Sequence, residues 1–355
     1  MPRLPSNGGL TPEQSGADSR AIGGGTPSNG GHDIRVAKRS VLGVKTSMSK
    51  TSEQFGRAAS VAKKAAKAKP QTELVKPGEL VEARFARGMS PSAAARKTLA
   101  LLIQAAAAEA WAAGPHSIAK KEIRRSHKSN ERIEDVLDEL QSMLLKIDTV
   151  APDGRAAKLV APVIAYRVEH LEEDDDSKVY WEFSEVARRA MQGSNYYAAL
   201  NKGTILAFES RYSVTLYERG CLLVGRRNPR WSGTVEELRE VLGVPAGKYR
   251  DWTDIRRFVL DRAVQEVNHL ADFVVGYKIE TGSRGKITKI DLAFRPKDEF
   301  GRDSAARELD RSRVGRKARR AGTVEDLLSP AQRRAIEDLQ SGRLGGTEFS
   351  DEREN

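Results

Sequence analysis

The segment 234–294 constrains the fold most strongly, because it combines helix start and stop signals with a hairpin pattern. Thr234 followed three residues later by Glu237 is a capping-box pattern, which marks the start of a helix. Gly243 marks the end of that helix, since glycine readily adopts the left-handed conformation at a helix C-terminus. A second helical period covers 252–270, and two strand-like runs separated by a glycine-containing turn follow it. Two helices joined by a tight turn and followed by a β-hairpin predict a winged helix.

The helix expected at 252–270 has one apolar side and one polar side. On a wheel of 3.6 residues per turn, the apolar side carries Trp252, Ile255, Val259, Leu260, Ala263 and Val267, and the opposite side carries Asp254, Arg257, Asp261 and Gln265. We therefore expect the first side to pack on the domain core and the second to face outward.

The same order of helices and hairpin occurs earlier in the chain. Ser90 and Pro91 have the pattern of an N-cap followed by the first helical residue, and an apolar helical period continues from there to Trp111. The elements expected after it are a short helix at 118–126, a helix at 133–144, and strands at 145–150 and 159–171. This order predicts a first winged helix, joined to the second by one long helix at 198–223.

The charge balance favours a polyanion partner. The chain has 60 Lys and Arg residues against 49 Asp and Glu residues, a net charge of +11. Each phosphate that a cation neutralises releases condensed counterions, so a surplus of this size promotes binding to nucleic acid. Charge by itself does not separate DNA from RNA or from an anionic membrane surface. The chain has no apolar run of 18 residues and no apolar signal region at its N-terminus, so we expect a soluble, cytoplasmic protein.

The predicted fold class is α+β, mainly helical, with two tandem winged-helix domains. The predicted boundaries are 1–70 for a disordered basic arm, 71–192 for the first domain, 193–296 for the second, and 297–355 for a charged, partly helical tail. The arm is rich in Gly, Ser, Pro and Thr, and both a DNA-touching arm and a solvated linker stay open for it. For the tail, a solvated segment is the default interpretation. A DNA- or partner-binding role of its basic cluster 311–320 is the alternative.

Few patterns that catalysis requires are present. The stretch nearest to a phosphate-binding loop, 243–249, is one residue short and lacks the hydroxyl that would hold magnesium. No two histidines are separated by one residue, which argues against the metal site of a nicking enzyme, although Tyr196 and Tyr197 are present. The acidic run 172–176 is explained more simply as a solvated hairpin loop than as a two-metal site. The only cysteine, Cys221, is expected to be a buried apolar residue. We therefore expect no enzyme activity, no cofactor and no metal.

DNA recognition is better supported, because the second helix of a helix-turn-helix unit enters the major groove. In the second unit this places near the groove Lys248, Tyr249, Arg250, Arg256 and Arg257, flanked by Arg226, Arg227 and Arg230 and by the wing residues Arg284, Lys286 and Lys289. Arginine can bind guanine with two hydrogen bonds, whereas lysine mainly contacts phosphates. For Arg256 the alternative is that its side chain only covers the core. The outward Asp254 and Asp261 favour a surface that selects sequence.

Basic residues are also dense in the first unit, around the expected turn and the start of the 133–144 helix. They are Lys120, Lys121, Arg124, Arg125, His127, Lys128 and Arg132. We expect them to contact phosphates, and an ordinary solvated face is the alternative.

The second unit resembles the Rep_3 family, the initiator proteins of iteron-containing plasmids. The resemblance is carried by 205–218, 234–244 and 249–268, with a looser likeness at 74–82, and it spans about 71–296. The departures are Trp252, Phe258 and Asp261, so the DNA sequence that the family reads does not transfer.

The resemblance implies a function in plasmid replication. Such initiators bind origin repeats as monomers through both winged helices, promote opening of adjacent DNA, and recruit the host chromosomal initiator and replicative helicase. Their dimers, formed through the first domain, often repress their own promoter. The 249–268 helix would then be the principal DNA reader. The alternatives are a winged-helix transcription regulator without a replication role, a nicking or polymerising initiator, and a structural or RNA-binding basic protein.

Overall fold

The computed structural model describes residues 55–69, 72–85, 90–125, 132–170, 174, 176–322 and 330–341. All of them belong to one compact unit, Ser40–Asn355. Helices and antiparallel sheets are mixed along the chain.

The N-terminal half consists of helices and short strands around one core. Its elements are α1 (Arg57–Ala68), β1 (Glu73–Pro77), α2 (Gly78–Glu82), β2 (Arg84–Phe85), α3 (Ala93–Ala105), β3 (His116–Ala119), α4 (Lys120–Arg124), α5 (Ile133–Gln141), β4 (Leu144–Val150), β5 (Ala156–Pro162), β6 (Ile164–Glu169), β7 (Lys178–Phe183) and α6 (Glu185–Gly193). The strands form two antiparallel sheets, ordered β2-β4-β5 and β3-β7-β6. Trp111, Trp181 and Phe183 are buried in the core that these elements share.

The C-terminal half is built around the segment 234–294. Its elements are β8 (Tyr197–Asn201), α7 (Lys202–Ala207), α8 (Arg211–Leu223), β9 (Arg230–Gly233), α9 (Val235–Leu242), α10 (Trp252–Ile255), a π-helical segment (Arg256–Leu260), α11 (Asp261–Leu270), β10 (Phe273–Thr281), β11 (Ile287–Pro296), α12 (Glu299–Asp310), α13 (Arg316–Arg320) and α14 (Pro330–Ser341). Strand β11 lies between β10 and β9 in an antiparallel sheet. The core between this sheet and the helices contains Tyr217, Phe273 and Phe294.

The two halves share a sheet. Strand β1 pairs with β8 along its whole length, so the pairing crosses the predicted border between 192 and 193. Side chains alternate across a strand, and consecutive residues of β1 accordingly enter different cores, Leu74 the second and Val75 the first. Beside them the buried Lys76 Nζ lies 2.7 Å from Glu218 Oε1.

The predicted disorder of residues 1–70 is wrong for α1. Ala58, Ala59 and Ala62 are buried, while Lys63, Lys64 and Lys67 point to solvent. Small side chains on one face let this helix approach the backbone beyond α6, where the N–H of Ala58 donates to the Ser194 carbonyl at 2.9 Å. The rest of the predicted arm, up to residue 54, lies outside the described residues.

Two boundaries predicted for the first unit are also wrong. Ser92, not Ser90, caps α3, and its hydroxyl accepts a hydrogen bond from the Ala95 N–H at 3.0 Å. Ser90 instead donates to the Gly243 carbonyl in the other half of the chain. Trp111 lies beyond α3, where its buried indole donates to the Ile103 carbonyl at 2.9 Å.

Strand pairing overrides three further predictions made from local pattern. The helix expected at 118–126 is preceded by β3, because residues 116–119 pair with β7. The strand expected at 159–171 is two strands in different sheets, since β5 pairs with β4 and β6 with β7. The long helix expected at 198–223 starts with β8 and then divides into α7 and α8, which are capped by Asn201 and Ser210. Strands β6 and β7, which flank the acidic run 172–176, pair with each other, but residues 172, 173 and 175 of the run lie outside the described residues.

In the second unit the predicted helix signals are confirmed. Thr234 and Glu237 form the reciprocal capping box of α9, and Gly243 ends α9 with φ 69°. The helix 252–270 is continuous, but its middle turn is π-helical, and the Asp261 N–H donates to the carbonyl of Arg256 five residues earlier. Strand β9, which the sequence pattern did not indicate, completes the wing sheet.

The prediction of a solvated tail after residue 296 is wrong for α12 and α13, which pack against α11. Glu308 on α12 is 1% exposed and accepts hydrogen bonds from Arg316 and Arg319 of the basic cluster. Its Oε1 also lies 3.5 Å from His269 Nε2 on α11. The cluster is therefore partly structural, because its cations compensate a buried carboxylate. Helix α14 covers Gly276 of β10, where an added Cβ would lie 2.6 Å from Leu339.

Candidate nucleic-acid interface

The turn between α9 and α10 is held in an uncommon backbone conformation. Gly247 and the non-glycine Tyr249 both have positive φ, 80° and 51°. A non-glycine residue in the left-handed region costs free energy and persists where surrounding contacts enforce it. Here the Arg239 guanidinium donates to the carbonyls of Lys248, at 2.6 Å, and Tyr249. The Tyr249 ring stacks on Phe258 with centroids 5.7 Å apart, which joins the turn to the helix that follows.

The N-terminal half of the helix 252–270 reaches solvent through its outer side, whereas the last five residues, 266–270, are buried. Asp251 caps it by accepting a hydrogen bond from the Asp254 N–H. Ile255, Val259 and Ala263 are buried in the second core as predicted. Arg257 is exposed, and its guanidinium carbon lies 5.3 Å from the centroid of the Phe258 ring. The half that reaches solvent is the half that would meet a DNA groove in a helix-turn-helix protein.

Arg256 is positioned by a hydrogen-bonded group between the helix and β10. Its Nε donates to the Tyr277 hydroxyl at 3.1 Å, and Tyr277 in turn donates to Asp261. Burial, followed by the hydrogen bond to Asp261, raises the pKa of Tyr277 to about 12, so the hydroxyl remains a donor at neutral pH. Asp261 was predicted to face outward, but it is half-buried against Tyr277. The π-helical segment rotates the following residues relative to a regular wheel.

The other basic residues predicted in the C-terminal half differ in exposure and pairing. The exposed ones are Lys248, Arg250, Arg226, Arg227, Arg230 and Lys286. Arg226 lies over the Tyr196 ring, 5.8 Å from its centroid. Lys289 is paired with Glu280 at 3.2 Å and Asp291 at 2.9 Å, so it is a weaker candidate for phosphate binding. Arg284 lies in the turn of the wing, and its side chain is outside the described part of the chain.

In the N-terminal half the predicted residues divide into exposed and buried. Lys121, Arg124, Arg125 and Arg132 are exposed. Lys120 is 5% exposed and lies 3.7 Å from Glu169 and 3.9 Å from Glu134, so the prediction that it contacts DNA is wrong. The Lys120 ammonium group has two carboxylate neighbours inside the protein, and its side chain is too buried to reach a phosphate. Lys128 and His127 lie outside the described residues.

Sequence reasoning missed three side chains of the C-terminal surface. Phe258 contacts Arg257, and Tyr277 accepts a hydrogen bond from Arg256. The guanidinium carbon of the exposed Arg262 lies 5.3 Å from the centroid of the same Phe258 ring. The sequence signal was only the adjacency of aromatic and basic residues at 256–262. The regular helical wheel hid Arg262, because it assumed a constant 3.6 residues per turn.

The side chains that the sequence offered for catalysis have surroundings that fit a structural role. Within the described ranges, no group of three His, Cys, Asp or Glu side chains could hold a metal ion. The Tyr196 hydroxyl donates to Glu82 at 2.8 Å, and burial raises its pKa. Burial also raises the pKa of the Cys221 thiol well above its usual value, which keeps it in the less nucleophilic protonated form. Among the described helices, none has both the length and the apolar character to cross a membrane.

Comparison with known proteins finds a similarity in one segment of the C-terminal half. Residues 234–294 match the family model described as initiator Rep protein, second winged helix. No curated protein matches the chain. A solved structure of the Pi initiator protein in complex with iteron DNA is similar at 16% identity, with a TM-score of 0.48, over 65% of this chain and 100% of that chain. The family match covers the capping box, the helix 252–270 and the β10–β11 wing, so this segment is similar to the second winged helix of initiator Rep proteins.

Proposed function

We propose that this chain is a sequence-specific DNA-binding protein that initiates plasmid replication by binding repeated sites, or iterons, at the origin. The observation that carries the proposal is the exposed N-terminal half of the helix 252–270, with Arg256 and Arg257 held beside a wing, inside the segment that matches initiator Rep proteins. Arginine edges presented from such a helix are suited to guanine O6 and N7 in the major groove.

The proposal extends to the whole chain. Both halves would act as winged-helix domains, with the first supplying phosphate contacts through Lys121, Arg124, Arg125 and Arg132. The bound protein would promote opening of the adjacent duplex and recruit the host helicase and chromosomal initiator. Dimers would repress the initiator's own promoter. We propose no enzymatic step, since the matched family is one of DNA-binding initiators, and we place the protein with plasmid DNA in the bacterial cytoplasm.

The test is a binding measurement with the full chain at two salt concentrations. The probes are a duplex containing the repeats that flank the encoding gene and a scrambled duplex of equal composition. Specific binding is expected to exceed non-specific binding by roughly 10³-fold or more. Equal, steeply salt-dependent binding to both duplexes would mean phosphate contacts only and would contradict the proposal.

A second measurement separates an initiator from a transcription regulator. Reactivity of unpaired thymines next to the repeats is recorded with and without the protein, on supercoiled DNA. We expect protein-dependent reactivity beside the repeats. A protein that binds specifically but leaves this DNA closed would be a regulator.

A further inference from the structure

The π-helical segment changes which side chains share the outer surface of the helix 252–270. At 3.6 residues per turn, residues five positions apart are separated by roughly 140° around the axis. In a π turn the hydrogen bond spans five residues, and such residues come close to the same side. Arg257 and Arg262 are five apart, and both are exposed. The segment Arg256–Leu260 therefore brings to one surface two arginines that a regular α-helix would separate.

Phe258 holds this pair of arginines. The guanidinium carbons of Arg257 and Arg262 each lie 5.3 Å from the centroid of its ring. A cation on the face of an aromatic ring is attracted by the ring's quadrupole, which restricts the arginine's rotamers without using its N–H donors. The ring itself is fixed from the turn by the Tyr249 stack.

The N–H donors of the pair are not used inside the protein. Within the described part of the chain, neither Arg257 nor Arg262 forms a hydrogen bond or an ion pair. The neighbouring Arg256 differs, because Tyr277 and Asp261 occupy it. Asp261, the acidic residue between the two arginines, is turned to Tyr277 and away from the pair's surface. Two restrained guanidinium groups with unused donors match the requirements for contacting duplex DNA at low entropic cost.

We infer that Arg262 is a second DNA-contacting arginine of this chain, held with Arg257 on Phe258 by the π-helical segment. The inference rests on the proposed function and deepens it, since it assigns a recognition residue that the regular helical period placed elsewhere. Arg262 contacts the same duplex as Arg257, farther along the helix.

The experiment measures binding of the full chain to the repeat duplex and to its scrambled control. The variants are Arg262→Ala, Arg262→Lys, Arg257→Ala and the Arg257→Ala/Arg262→Ala pair. We expect Arg262→Ala to weaken specific binding by roughly 5- to 150-fold and to relax discrimination between the two duplexes. Arg262→Lys is expected to recover only part of this loss, because lysine keeps the charge but lacks the planar fork. The double variant is expected to lose less than the product of the two single losses, since both arginines share one support.

Two controls separate recognition from charge and from folding. Arg302→Ala removes an exposed arginine on α12 and is expected to bind like the unchanged chain. Phe258→Leu keeps an apolar side chain but removes the ring, so it should reproduce much of the loss of both arginines with an unchanged circular dichroism spectrum. Wild-type affinity and discrimination in Arg262→Ala would overturn the inference while leaving the proposed function intact. A wild-type chain that does not discriminate the two duplexes would instead overturn the proposed function.

Discussion

Helix α5 in the N-terminal half and the helix 252–270 in the C-terminal half occupy the same place in the order of elements, but their exposed faces carry opposite charges. The exposed face of α5 carries Glu134, Asp135 and Asp138, whereas the exposed part of the helix 252–270 carries arginines. An acidic face is repelled by the phosphates that line the groove. If the proposed function holds, we expect base reading to be concentrated in the C-terminal half. In the N-terminal half, we expect the basic residues before α5 to supply general attraction to phosphates.

The two halves also differ in how the reading helix is supported. Helix α5 has nine residues, while 252–270 continues into a buried end that α12 and α13 cover. At that end Glu266 accepts hydrogen bonds from the backbone N–H groups of Glu209 and Ser210, and Arg320 approaches it at 3.3 Å. A recognition surface needs side chains held by their surroundings, and the tail provides part of that support.

The largest expected effect tests this support. Glu308→Ala would leave Arg316 and Arg319 buried without their carboxylate, and we expect it to lower the free energy of unfolding by about 3–5 kcal/mol. Chemical denaturation of the full chain measures the change. Asp303→Ala, an exposed acid on the same helix, is the matched control and is expected to change little. Equal stability of the two variants would show that the tail does not support the reading helix.

The next effect tests where sequence is read. Arg257→Ala is expected to cost about 1–3 kcal/mol in binding to the repeat duplex, with little change for scrambled DNA, because it removes a base contact. Fluorescence anisotropy at two salt concentrations provides both affinities. If the variant lost affinity equally for both duplexes, Arg257 would be a phosphate contact, and the contrast between the halves would weaken.

A pH profile examines the buried end of the reading helix. Burial lowers the pKa of His269 to about 4, so its contribution to stability is complete above its usual value near 6.5 and is lost as the pH falls towards 4. Burial alone would raise the pKa of Glu308, but hydrogen bonds from Arg319 and Arg316 lower it to about 2, so its contribution is lost below about 4.5. We expect the melting temperature to fall in two stages on acidification. His269→Gln should remove the first stage, and an unchanged profile would contradict this assignment.

A smaller effect concerns the N-terminal half. Lys121→Ala and Arg125→Ala are expected to weaken binding to both duplexes alike, and each should reduce the slope of log affinity against log salt by about 1. The affinities of both variants for the two duplexes are measured over the same series of salt concentrations as those of the unchanged chain. A change in sequence discrimination would show that this half also reads bases.

The smallest effect is expected on α5. Asp135→Asn removes one exposed negative charge, and it should raise non-specific affinity by no more than a few-fold without altering sequence preference. Competition binding with scrambled DNA measures this. A loss of discrimination would place α5 at the base edges and remove the difference between the halves.

Local signals predicted the elements that local physics controls. The capping box at Thr234, the left-handed Gly243 and the alternating strands of the wing are each determined within a few residues, and the structure confirms them. Predictions failed where partners distant in sequence decide the conformation. Residues 198–201 have a pattern compatible with helix, yet they form a strand because β1 offers them backbone partners.

The candidate site shows the same division. The sequence by itself determined that a helix-turn-helix unit with a wing occupies 234–294, because capping and periodicity are properties of neighbouring residues. Only the tertiary structure decided which basic residues are available. It buried Lys120 among carboxylates, turned Asp261 to Tyr277, and brought Arg262 beside Arg257 through a π turn. The physical reason is that desolvation, ion pairing and helix register depend on groups that the linear sequence does not place in contact.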